Sequence, residues 1–102
     1  MKIKISEHDL QNIIKQWLEL HGWFCLRLNS GAIITKTGKM VRLAPPGTPD
    51  LYALKKGKSV FIEVKIKGNK LTFYQEQMLD ELERHGAQTI IAYNLEDVIG
   101  SL

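Results

Sequence analysis

The sequence predicts an α/β (α+β) domain with a central mixed β-sheet flanked by helices. Three observations predict it. Two stretches, 7–21 and 72–85, carry apolar residues at helical spacing. Short β-branched runs lie between and after them, which is the alternation that builds mixed layers. The chain has 102 residues, 44% apolar and 25% charged, enough for one domain with its own core and no second module.

The elements follow in order. Ser6 is placed to cap a first helix, with Asp9 three residues on as a capping-box partner. Leu10, Ile13, Ile14, Trp17 and Leu18 form its apolar stripe, and Gly22 ends it near His21. Trp23 to Leu28 reads as a strand. Ile33 to Thr35 and Met40 to Leu43, around Thr37-Gly38, read as a hairpin or flap. The segment 44–49 holds three prolines and cannot continue a ladder. Leu51 to Leu54 and Val60 to Ile66 are strands joined by a Lys55-Lys56-Gly57-Lys58 turn. In the second, Val60, Ile62, Val64 and Ile66 share one face, and Phe61, Glu63, Lys65 and Lys67 the other. Thr72 to His85 is a helix stopped by Gly86, Thr89 to Tyr93 a buried strand, and Asn94 the cap of a last helix, Leu95 to Ile99.

Several classes are set aside. No apolar run approaches the ~18 residues of a membrane span, and the start lacks a secretory apolar segment. A cytoplasmic protein is the expectation. The single cysteine, Cys25, fits a reducing compartment and reads as buried filler. His8, His21 and His85 lack ligand spacing, and no Gly-rich phosphate loop is present. Trp17, Trp23, Phe73 and Tyr74 are expected to pack; the last three could instead stack on bases.

The charge is uneven. Nine Lys/Arg and two acids fall between Lys36 and Lys70, a local +7 within an overall +3. Such a basic segment is either a solvated rim or a footprint for a phosphate backbone. Its two acids are Asp50, at the mouth of a strand, and Glu63, two residues before Lys65 on the next. Residues i and i+2 of a strand project together, and the tight turn can bring Asp50 beside them. Two carboxylates and an amine at one spot suit a Mg²⁺ site and phosphodiester hydrolysis. Read singly, Asp50 is a turn residue and Glu63–Lys65 an ion pair. Glu7 lines up with Leu10, Ile14 and Leu18, so it is either drawn inward or exposed in a frayed first turn. Gln75 shares a stripe with Met78, Leu79 and Leu82, and also completes a Thr72-x-x-Gln75 capping box.

Gly47-Thr48-Pro49-Asp50 followed by Phe61-Ile62-Glu63-Val64-Lys65 resembles the PD-(D/E)xK nuclease signature. The fuller resemblance is to the VRR-NUC family in a stand-alone form. It adds an acid opening the first helix (Glu7), an Arg-x-Asn-x-Gly stretch (Arg27, Asn29, Gly31), and a Ser/Thr-x-x-Gln helix start (Thr72, Gln75). The resemblance implies a restriction-endonuclease-like αβββαβ core. It implies that Asp50, Glu63 and the Val64 carbonyl hold Mg²⁺ or Mn²⁺, with Glu7 directly or through water. Lys65 would position or deprotonate the attacking water or neutralise the transition state, and Gln75 would orient Lys65 or that water. Arg27 and Asn29 would meet phosphates, with Lys36, Lys39, Arg42, Lys67 and Lys70 as further DNA contacts.

The function expected is a metal-dependent endodeoxyribonuclease acting on DNA, branched or double-stranded. A homodimer would set two sites on one Holliday junction or flap. The alternatives are a non-catalytic nucleic-acid-binding module with a degenerate nuclease fold, and a small interaction domain whose acids are structural.

Overall fold

The computed structural model describes residues 4–28 and 31–102; Asn29, expected at a phosphate, lies outside them. The order is α1 (Glu7–Leu20), β1 (Phe24–Arg27), β2 (Ala32–Ile34), β3 (Met40–Arg42), β4 (Leu51–Lys55), β5 (Lys58–Val64), α2 (Phe73–Arg84), β6 (Gln88–Ala92) and α3 (Leu95–Ile99). Four strands form one mixed sheet in the order β1-β4-β5-β6. β1, β4 and β5 run antiparallel, and β6 joins β5 in parallel through the α2 crossover. This is the predicted mixed sheet with flanking helices. Among the described residues β2 and β3 pair only with each other.

Local chemistry sets the ends. Ser6 Oγ accepts from the Asp9 N–H at 3.0 Å, and Asp9 Oδ2 accepts from the Ser6 N–H at 3.2 Å. The first four helical N–H groups have no partner within the helix, so this reciprocal pair fixes the start. The β4–β5 turn places Lys56 and Gly57 at φ 49° and 81°. A two-residue hairpin of this twist needs left-handed φ at both positions, which Gly supplies without strain.

One face of the sheet carries the core. Cys25, Leu51, Ala53, Val60, Ile62, Val64, Ile90 and Ala92 lie in register there, covered by Leu10, Ile14 and Leu18 of α1 and Val98 of α3. Period two in the strands and period 3.6 in the helix meet on that surface. The other face is only partly covered, with Leu79 the one buried residue of α2. One expectation changes for this reason. The last strand is not buried on both sides, since Ile90 and Ala92 are buried while Ile91 and Tyr93 are exposed. On the same face, Phe24 and Leu26 are exposed on the edge strand β1. A second change is at Ile66, which is exposed because β5 ends at Val64. No helix among the described residues is long and apolar enough to cross a membrane.

Candidate functional site

Pairing of β4 with β5 sets Leu51 opposite Ile62, so Asp50 lies beside the end of β5. Its backbone is tied on both sides: the Asp50 N–H donates to the Ile62 carbonyl at 3.1 Å, and the Leu28 N–H donates to the Asp50 carbonyl at 2.8 Å. The side chain then accepts from the Val64 N–H at 2.8 Å through Oδ2. A strand entrance thus becomes a fixed carboxylate.

Glu63 lies on the face away from the main core, yet it is only 2% exposed. Its Oε1 accepts from Gln75 Nε2 at 2.8 Å. Lys65 Nζ stands 3.9 Å from the same oxygen, with Lys65 9% exposed. That distance is an ion pair without a hydrogen bond. Glu63 Oε2 is buried and has no hydrogen-bond partner among the described residues. An unpartnered buried carboxylate oxygen is costly.

Gln75 serves two purposes at once. Its Oε1 accepts from the Thr72 N–H at 2.9 Å, completing the capping box, while Nε2 reaches Glu63. The two readings open in the sequence are both realised. Gly47 sets the distance between this helix start and the Asp50 loop. At φ +84°, an added Cβ would stand 2.2 Å from the Tyr74 carbonyl oxygen and 2.8 Å from the Gln75 nitrogen. Only a residue without Cβ lets the two backbones meet.

The electrostatics follow from this packing. Burial raises the Glu63 carboxyl to about 8; the Asp50 charge and, less strongly, Glu7 add to the rise, and Lys65 opposes it. Asp50 is raised too, first by burial and then by Glu7, against the Val64 N–H, Lys65 and Arg27. Both acids therefore feel the charge of Glu7, half-buried at the start of α1. Among the described residues no three Asp, Glu, His or Cys side chains gather at ligand distance.

The site's donor set fits a hard divalent cation. It offers two carboxylates, a buried oxygen without a partner, and an acid whose ionisation needs a compensating positive charge. Asp50, Glu63 and the Val64 carbonyl are the groups available to hold one.

The basic residues divide into two groups. Lys36, Lys39 and Arg42 are exposed on the β2–β3 hairpin, and Lys67 and Lys70 on the loop before α2. Arg27 is exposed beside α1, its guanidinium donating to Asn12 Oδ1. Sequence reasoning missed Asn12, since the contact joins residues 15 apart in different elements. The packing expected of Phe73 and Tyr74 is corrected: both are exposed, because in the first turn of α2 it is Gln75, not the two rings, that reaches buried Glu63. Trp17 and Trp23 do pack against the core.

The VRR-NUC domain family model matches residues 5–94. A solved structure titled "VRR_NUC domain" shares the fold, with TM-score 0.69 and 22% identity over 95% of this chain and 94% of that one. No curated protein matches.

Proposed function

The chain belongs to the VRR-NUC family, whose nuclease type gives it a nuclease or DNA-processing role, and from that premise we propose a divalent-cation-dependent endodeoxyribonuclease selective for branched DNA. The observation that carries the catalytic reading is the buried Glu63 Oε2 without a partner, beside Asp50 and Lys65. Mg²⁺ or Mn²⁺ would be held by Asp50, Glu63 and the Val64 carbonyl, with Glu7 acting through water. When bound, such an ion activates water and offsets charge building on the phosphate.

The chain's own groups do the rest. Gln75 donates to Glu63 Oε1 and holds the side chain in place, so Oε2 would be free to hold the ion. The Lys65 ammonium is near Glu63 but not hydrogen-bonded to it. Its donors remain available to orient the attacking water or to meet a phosphate oxygen. Arg27, oriented by Asn12, and the hairpin cations Lys36, Lys39 and Arg42 would grip the backbone. These contacts are to phosphate, so recognition would rest on DNA shape rather than base sequence. A second copy would set two such sites on one junction.

Nicking of supercoiled plasmid in Mg²⁺, Mn²⁺ or EDTA, run beside Asp50→Asn, tests the proposal. Nicking is expected with either ion and is lost with EDTA or with the variant. DNA binding without cutting would instead favour the non-catalytic module. Four-way junctions, flaps and linear duplex should be cut unequally; equal rates on all three would remove the branch preference.

A further inference from the structure

α2 opens with two aromatic side chains that the core does not use. Phe73 is 67% exposed and Tyr74 61% exposed. Their rings meet edge to face, with centroids 5.7 Å apart. Both stand on firm backbone. Thr72 caps the helix, and the Tyr74 carbonyl packs so closely on Gly47 that no Cβ fits between them. The next residue, Gln75, donates to Glu63. The aromatic pair is therefore fixed one residue from the candidate site.

The surrounding charge identifies what would cover it. From Lys65 to Glu76 there are three lysines and one acid, Glu76 itself, and Lys67 and Lys70 are exposed. An apolar protein surface would answer the rings but leave the lysines unmatched. An unpaired nucleotide answers both, with a base face for the ring and a phosphate for the cation. A base inside a duplex has its faces occupied by neighbours and cannot offer one without being unstacked.

We propose that Phe73 and Tyr74 form a stacking platform for an unpaired base of the DNA beside the scissile phosphate, with Lys67 and Lys70 on the adjoining phosphates. The proposal rests on the nuclease reading and adds the class of strand the site takes, one with at least one unpaired nucleotide next to the cut. Stacking uses a π-face common to all bases, so the platform selects single-stranded character and not sequence.

The test compares a flush duplex with the same duplex carrying a single-stranded flap. Binding is followed by fluorescence anisotropy in EDTA, so nothing is cut. Wild type binds the flap substrate more tightly. Phe73→Ala with Tyr74→Ala loses about 5- to 150-fold per stacked base on the flap and keeps its duplex affinity. Phe73→Trp with Tyr74→Trp retains the flap preference, which separates stacking from damage to the helix start. Equal wild-type affinity for the two substrates overturns the platform. So does an alanine pair that weakens both equally, or one that dissolves a dimer in sedimentation while keeping the flap preference. Flap preference without Mg²⁺-dependent cutting supports the platform and refutes the nuclease reading. Cutting without flap preference does the reverse.

Discussion

At the scale of single residues, the site is governed by what burial does to two acids. Glu63 titrates near 8 in the folded chain against an ordinary 4.5. Between those values the native state holds a proton that the unfolded state has released. Stability of the metal-free protein therefore falls as pH rises from about 4.5 to 8, with Asp50 adding in the same direction. Thermal melts in EDTA across this range are expected to show the decline, and Glu63→Gln to flatten it. A Tm that climbs with pH would contradict the assignment. Asp50→Asn and Glu63→Gln should each abolish cleavage while leaving the metal-free fold intact, because each replaces an acid whose ionisation burial disfavours with a neutral amide of the same shape; a large drop in Tm would argue otherwise. Lys65→Ala is expected to slow turnover with cation binding preserved, read by cleavage rate against Mn²⁺ titration.

At the scale of elements, two loops decide how the site is held. Gly47 lets the Asp50 loop touch the first turn of α2, and a Cβ there would fall 2.4 Å from the Tyr74 carbonyl carbon at a φ of +84°. Gly47→Ala should destabilise by roughly 1–3 kcal/mol from backbone strain alone, and separation of the loops would take Gln75 from Glu63. Urea melts would measure the first effect, and activity should fall by more than the unfolded fraction explains. The β2–β3 hairpin is different in kind. A lone two-stranded hairpin is marginal in water, and this one carries Lys36, Lys39 and Arg42 with no acid between Gly31 and Leu43. Lys36→Ala with Lys39→Ala should lower the salt dependence of duplex binding by roughly 1.8 in log–log slope, about 0.9 per phosphate contact. An unchanged slope would remove the hairpin from the interface.

At the scale of the whole molecule, the acids sit at the end of one sheet, Asp50 just before β4 and Glu63 in β5, with Gln75 of α2 holding Glu63. A cation bound there would tie the Asp50 loop to β5 in the native state only. At a hundredfold excess over Kd it should add about 2.7 kcal/mol, and the rise in Tm with Mg²⁺ or Mn²⁺ should vanish in Asp50→Asn. Differential scanning calorimetry with and without EDTA reads this directly.

The sequence by itself determined the elements and their order, because caps, turn residues and hydrophobic periods act over a few residues: Ser6 with Asp9, Lys56-Gly57, and Thr72 with Gln75 all form as their spacing predicts. It also indicated that Asp50, Glu63 and Lys65 would meet, since a tight hairpin fixes register. Tertiary structure alone decided which surfaces are covered. Ile66 lies past the end of β5, Ile91 on the sheet face away from α1 and α3, and Phe73 and Tyr74 at the start of α2, so all four are exposed although they are as apolar as core residues. It also decided that Glu63 keeps one oxygen without a hydrogen-bond partner among the described residues, for burial and approach between distant segments depend on packing that no local pattern encodes.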